Sequence, residues 1–343
     1  MLGIRNRYFL SGTVGVLAAA LLVGVPASAQ DSDFSLAMVI KSTTNPYYNA
    51  TLAGAQMAAE ELGGTVENHG PTQSSATAQV DIINNLADRR VTAIAVAPSD
   101  PDAVAPAMKR AQQLGAIVLT FDADSALDAR PFHVNMATTD SVGRFGATRL
   151  AEELGNQGKV AIVSAQATAA NQNAWIAAFR DELSKPEYSG IEIVDEVYAN
   201  DNEQQAFDAT VALVTKYPDL AGIYAPTCPG LPAVARALES VGKGEGQIKL
   251  AGMCVPSITS DYMLRDTIQV FYLWDPIKLG YITYYAAKLM ADGELKGEVG
   301  DTFTIPEGRK WPGTYEIIAD LGGQIVTGGP LEYTEENYQE HAY

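Results

Sequence analysis

Lys41, the carboxylates of Asp122 and Asp124, the amides of Asn45, Asn171 and Gln172, and the rings of Tyr47, Tyr48 and Trp274 share one property. Each stands just beyond the end of a short apolar run. Lys41-Ser-Thr-Thr-Asn45-Pro-Tyr47-Tyr48 follows the run 34–40, Asp122 and Asp124 follow 116–121, and Asn171-Gln172-Asn173-Ala-Trp175 lies after 159–165. Pro226-Thr-Cys228-Pro follows 220–225, Cys254 follows 248–253, and Trp274-Asp275 closes 268–273. Carboxylates and amides of fixed geometry pair with hydroxyls, which donate and accept at once. Aromatic faces cover apolar C–H surface, as in most small-molecule sites. A compact polyhydroxylated solute presents both kinds of surface.

Other chemistries fit less well. Asp122 and Asp124 together suit acid–base attack on a glycosidic bond, which makes an exported hydrolase the rival reading. No Gly-x-Ser-x-Gly elbow occurs, and His133 is the only histidine near a run of this kind. His69, His133 and His341 are far apart with no cysteine beside them, which argues against a His/Cys transition-metal site. Gly242-Lys-Gly244-Glu-Gly246 follows a helical stretch rather than a strand, so it lacks the setting of a dinucleotide cradle. No cofactor is expected.

The elements that position these residues alternate. Strand 34–40 leads to helix 48–62, with Leu52, Ala55, Ala59 and Leu62 on one face, then strand 65–68, helix 76–88, strand 93–97, helix 102–114 and strand 116–122. After 132–137 the order restarts with helix 141–155, strand 159–165, helix 171–183, strand 191–198 and helix 203–217. Strand 220–225, helix 231–241, strand 248–253, a last strand 268–273 and helix 276–291 complete it. Nearly continuous β-rich runs separated by helices predict an α/β fold, doubly wound around parallel sheets. Two successive units of similar order predict two lobes, and ligands in such sheets bind beyond the carboxyl ends of the strands.

Composition narrows the setting. Arg5 and Arg7, an apolar stretch through 14–25 and Pro26-Ala-Ser-Ala29 have the form of a secretory signal peptide over 1–29. No cysteine follows the cleavage site to carry a lipid. About 310 residues remain, which favours two domains. The chain has 23 basic and 41 acidic residues, and loss of Arg5 and Arg7 takes the net charge from −18 to −20. A surface that negative repels nucleic acid and anionic lipid, so a DNA-binding regulator built on such lobes is excluded. Cys228 and Cys254 follow two strands separated by one helix, at one sheet edge. In an oxidising compartment that placement predicts a Cys228–Cys254 disulfide, with two buried thiols as the alternative.

Gly70-Pro-Thr72, Asn84-Asn85, Asp100-Pro-Asp102 with Lys109-Arg-Ala111, Leu119-Thr-Phe-Asp122-Ala-Asp124, Asn171-Gln-Asn-Ala-Trp175 and Leu273-Trp-Asp275 resemble the periplasmic sugar-binding proteins of ABC importers. The resemblance covers the mature chain and points to the ribose-binding-protein fold, particularly the subgroup of rhamnose and autoinducer-2 binders. It implies a type I periplasmic binding protein whose chain crosses between lobes three times, near 135–138, 271–275 and 302–306. The first lobe would then comprise 30–136 with 275–303, and the second 137–274 with 304–343. It also implies a periplasmic, monomeric protein without catalytic activity, closing around a sugar and presenting it to a membrane permease.

Residue by residue, Lys41, Asp122, Gln172 and Pro226 match positions of autoinducer-2 binders, while Asn171 stands for their aspartate and Cys228 for their alanine. Tyr47-Tyr48 resembles the aromatic pair of ribose binders, but Ala123 stands where those carry arginine. The implied ligand set is Lys41, Asn45, Tyr47, Tyr48, Asp122, Asp124, Asn171, Gln172, Pro226, Cys228, Trp274 and Asp275. A deoxyhexose such as rhamnose is the leading solute, with autoinducer-2 or a polyol as the alternative. Plainer roles compete at several positions. Asp124 suits a turn cap, Asn171 a helix cap, Trp175 lobe packing, and Trp274 and Asp275 a hinge.

Overall fold

The computed structural model describes residues 34–341 and 343; the leader expected over 1–29 lies outside them. Among the described residues no helix is long and apolar enough to cross a membrane.

The first half builds β1 (Ser35–Val39), α1 (Tyr47–Leu62), β2 (Thr65–His69), α2 (Ala76–Asp88), β3 (Ala93–Val96), α3 (Pro101–Gln113), β4 (Ile117–Phe121) and β5 (His133–Asn135). The second builds α4 (Thr139–Glu153), β6 (Gln157–Ser164), α5 (Ala170–Leu183), β7 (Gly190–Tyr198), α6 (Glu203–Lys216), β8 (Leu220–Ala225) and α7 (Gly230–Ser240). It continues with β9 (Lys249–Met253), α8 (Pro256–Leu264), β10 (Val270–Leu273) and α9 (Pro276–Ala291). The tail adds β11 (Thr302–Ile305), β12 (Gly313–Glu316), β13 (Gln324–Val326) and β14 (Leu331–Tyr333).

Two six-stranded sheets result, ordered β13-β5-β4-β3-β1-β2 and β14-β10-β9-β8-β6-β7. Every pairing within them is parallel except β10 with β14. Helices α2, α3, α6 and α9 start where a side chain satisfies the first backbone N–H groups. Ser75 accepts from Ala78 N, Asp100 from Asp102 N and Ala103 N, Asn202 from Gln205 N, and Asp275 from Lys278 N. β3 is buried along its whole length, as expected of a strand covered on both faces.

Helices α1 and α9 pack on the first sheet with their backbones in close approach. A Cβ on Gly54 would stand 1.8 Å from the carbonyl oxygen of Ile277, and one on Gly280 1.8 Å from that of Thr51. The glycines allow α9, which follows β10 of the second sheet, to settle into the first lobe.

The tail departs from expectation. The third crossing was expected near 302–306, with everything from 304 onward in the second lobe. Instead β11 and β12 pair only with each other, and β13 joins β5 in the first sheet, Gln324 opposite His133. The chain crosses after Val326, and β14 then pairs with β10. The physical reason is the open edge of β5, which takes a three-residue strand anchored by the bond from Asn135 Nδ2 to Gln324 Oε1 at 2.8 Å. Strands this short show no readable alternation. The first lobe therefore extends through Val326. Helix α8 was also unanticipated, because it buries only Pro256 and Thr259 and carries no apolar stripe.

Candidate functional site

The strand ends of the two sheets face one another across a narrow chamber. From the first lobe it is lined by Lys41, Asn45, Tyr47, Tyr48 and Asp122. Asn171, Gln172, Trp175, Asp201, Pro226, Thr227, Cys228, Met253, Leu273 and Trp274 complete the wall.

Lys41 leaves the end of β1 with 3% of its surface exposed. Its Nζ crosses the cleft to the first turn of α5, donating to Asn171 Oδ1 at 2.9 Å and Gln172 Oε1 at 3.4 Å. Asp122 follows β4 with φ 61°, a left-handed backbone that aspartate tolerates better than most residues. Its Oδ2 accepts from Tyr48 OH at 2.9 Å. Burial pushes the Asp122 carboxyl above its ordinary range, opposed by the charge of Lys41 and the Tyr48 and Tyr47 hydroxyls. Burial, then the Asp122 charge, holds both tyrosine hydroxyls well above their usual value.

The rings form a connected wall. Trp274 Nε1 donates to Tyr47 OH at 3.0 Å, and the Trp274 ring lies 5.4 Å from that of Trp175. Both Tyr47 and Tyr48 reach the chamber, edge to face at 5.1 Å. Asn45 accepts from Tyr47 N at 3.1 Å, so the amide that lines the chamber also opens α1. Across from them, Cys228 and Cys254 form a disulfide that joins the ends of β8 and β9. Further bonds close the lobes around the chamber. Ser74 Oγ donates to Gln166 Oε1 at 3.0 Å, Gln166 Nε2 to Ser74 O at 3.1 Å, and Thr168 Oγ1 to Ser99 O at 3.2 Å.

Two of the expected residues lie elsewhere. Asp124 is held by the buried Arg130, whose Nε donates to its Oδ1 at 2.9 Å, and it also accepts from Thr120 Oγ1 at 2.7 Å. Arg130 then donates to the carbonyls of Leu321, Gly322 and Gly323, so Asp124 serves to fasten the tail to the first lobe. Asp275 caps α9. Trp175, Asp201, Thr227, Met253 and Leu273 were not expected in the lining. Asp201 was within reach of the strand-end rule, since Ala199-Asn-Asp201-Asn202 follows β7. Met253 and Leu273 are the last residues of their strands, where an apolar type carries no binding signal. Among the described residues no group of three or more histidine, cysteine, aspartate or glutamate side chains is placed to hold a metal ion.

Near Asp124, His133 is buried with Nδ1 3.0 Å from Thr120 Oγ1. Burial pushes its imidazole down to about 4, with the Asp124 charge opposing. The native state therefore keeps His133 neutral, whereas the unfolded chain protonates it near 6.5. Its contribution is fully present above about 6.5 and is lost as pH falls toward 4. Urea unfolding at pH 7 and pH 4.5 is expected to differ by about 2–3 kcal/mol from this group, and His133→Gln removes that part of the difference. An unchanged pH slope in the variant counts against it.

Comparison with known proteins gives this geometry a family. A model described as periplasmic binding protein domain matches residues 36–295. An ABC transporter solute-binding protein from Clostridium phytofermentas, solved with bound L-rhamnose, is similar at 31% identity and a TM-score of 0.86, covering 90% of this chain and 98% of that one. A sugar ABC transporter structure from Actinomyces odontolyticus shares 35% identity over 92% of this chain and 99% of its own, with a TM-score of 0.71. Among curated proteins, the D-ribose/D-allose-binding protein of Pseudomonas aeruginosa is 25% identical over 73% of this chain and 80% of its own length. With two parallel-sheet lobes closed on a polar chamber and a family match across most of its length, the chain belongs to the periplasmic binding protein family.

Proposed function

We propose that this protein is exported to the periplasm, captures a sugar between its lobes and delivers it to an ABC-type permease. The observation that carries the reading is the chamber itself. Buried Lys41 and Asp122 of the first lobe share it with the amides of Asn171 and Gln172 of the second, with Trp175 and Trp274 supplying apolar faces. Lys41, Asn45, Tyr47, Tyr48, Asp122, Asn171, Gln172, Pro226, Cys228 and Trp274 are the proposed ligand contacts. Met253 and Leu273 give the chamber an apolar flank, which suits the methyl group of a 6-deoxyhexose. Rhamnose or a related deoxyhexose is the proposed solute, in keeping with the rhamnose-bound relative. The protein acts as a monomer and makes or breaks no bond. Asp124, the carboxylate that a hydrolase would pair with Asp122, is bound to Arg130 outside the chamber lining.

A second reading, autoinducer-2 or polyol binding for uptake or sensing, is favoured by the convergence of Lys41, Asp122, Gln172 and Pro226 on one chamber. A thermal-shift screen of the mature protein separates them. A ligand selective for the native state raises the melting temperature by mass action. L-Rhamnose or another deoxyhexose is expected to give the largest rise in a panel that includes D-ribose, polyols and autoinducer-2. A dominant response to autoinducer-2 favours the second reading, and no response to any of them overturns both.

A further inference from the structure

We propose that Asp201 is the second carboxylate of the sugar site, the residue that holds the outer edge of the solute and turns away acidic sugars. The inference rests on the sugar-binding reading above.

Asp201 belongs to the turn after β7. Ala199 N is bonded to Ser164 O at 2.8 Å, Asn200 N to Ala165 O at 2.9 Å and Asn202 N to Ala199 O at 2.9 Å. Between these anchors Asn200 and Asp201 both take left-handed backbone, φ 54° and 52°. Thr227 Oγ1 donates to Asp201 Oδ1, locking the carboxylate to the loop after β8. Its other oxygen meets no protein donor among the described residues, although the group lines the chamber. A carboxylate held by one oxygen and open at the other is built to accept from a hydroxyl.

Its place in the wall gives the role. A polar groove, flanked by Thr44, Thr72 and Gln73 of the first lobe and Asn200, Asn202 and Arg236 of the second, lies beside the chamber. Asp201 is common to the two. Asp122 stands on the opposite lobe, and the charge of Asp201 acts on both Asp122 and Tyr48. The chamber thus has two carboxylates and, in Lys41, one cation already bonded to two amides. That balance favours neutral solutes with hydroxyls at both ends and opposes an added carboxylate.

The test is calorimetric titration of wild type, Asp201→Asn and Thr227→Val, using the best binder among L-rhamnose, D-fucose, D-ribose and D-arabinose, with D-galacturonate as the acidic sugar. Asparagine accepts the left-handed backbone and can still accept from Thr227. Asp201→Asn is expected to weaken the neutral sugar about tenfold or more and to narrow the gap to D-galacturonate. Thr227→Val is expected to leave that gap intact. Wild-type affinity and selectivity in Asp201→Asn overturn the assignment. So does a loss equal to that of Thr227→Val with the gap unchanged, which marks a purely structural lock. If wild type binds no sugar at all, the sugar reading and this inference fall together, whereas binding that ignores Asp201 removes only the inference.

Discussion

Asp122→Asn is expected to weaken sugar binding about 100-fold while leaving the sugar-free protein folded. A hydrogen bond to a charged acceptor is worth about 1.5–3 kcal/mol, and the upper part of that range corresponds to about 100-fold. The site favours the upper part because Asp122 is 5% exposed and shielded by Tyr48. Asparagine tolerates φ 61°, so the backbone need not move. Loss of the charge acts in the opposite sense on stability. Burial raises the carboxyl of Asp122 above its unfolded value, so ionisation of this group weakens the fold as pH rises through that range. The variant should therefore melt no lower than wild type without sugar and show little shift with it. Titration calorimetry and melting curves together read both arms. Retained affinity removes Asp122 from the site, and a lower melting temperature without sugar means that it was structural instead.

Gly280→Ala is expected to destabilise the first lobe by about 3 kcal/mol or more. On an exposed helix the same change stabilises by about 1 kcal/mol, because glycine is the poorer helix former. Here the sign reverses. The added carbon would stand 1.8 Å from Thr51 O and 2.7 Å from Thr51 C, and backbone cannot swing aside as the end of a flexible side chain can. The helices must part, disturbing the bonds of Tyr281 OH to Glu61 Oε2 and Tyr284 OH to Gly63 O on the same side of α9. Overpacking of this kind costs about 1–3 kcal/mol in ordinary cores, and a backbone clash lies at or beyond that limit. Gly54→Ala meets Ile277 O at the same separation and should behave alike. Equilibrium urea unfolding gives the answer. A midpoint at or above that of wild type would mean the helices have room that the crossing does not show.

The main frame was legible because its signal is periodic. Runs such as 93–97 and 220–225 are apolar from end to end and too short for a helix, which is how a strand covered on both faces reads. The site was legible to the extent that a strand end is a place: Lys41 and Asp122 follow strands of one sheet, Pro226 and Trp274 strands of the other, and the carboxyl ends of the two sheets line one chamber. Where the same rule erred, the reason is local. Asp124 lies two residues beyond Asp122, and the turn between them swings its carboxylate to Arg130. Asp275 is one residue past Trp274 and begins a helix. The tail was illegible because β13 and β14 have three residues each. Their membership of opposite sheets is decided by which edge lies open, a tertiary fact with no local trace.

The Cys228–Cys254 bridge makes the two lobes unequal. Both cysteines of the chain lie in the second lobe, and their bond closes a loop of 26 residues that holds α7 and β9. Cross-links over such a span restrict the unfolded chain by about 3 kcal/mol in the loop-entropy account, and the first lobe receives none of this. Oxidised, the second lobe has that added reserve; reduced, it loses it while its neighbour is untouched. Cooperativity of unfolding is therefore a redox-dependent property of this molecule. A reduced chain gives up that reserve on the side that supplies Pro226, Thr227 and Cys228 to the chamber wall, so the redox state of one cysteine pair bears on one wall of the chamber and leaves the other alone.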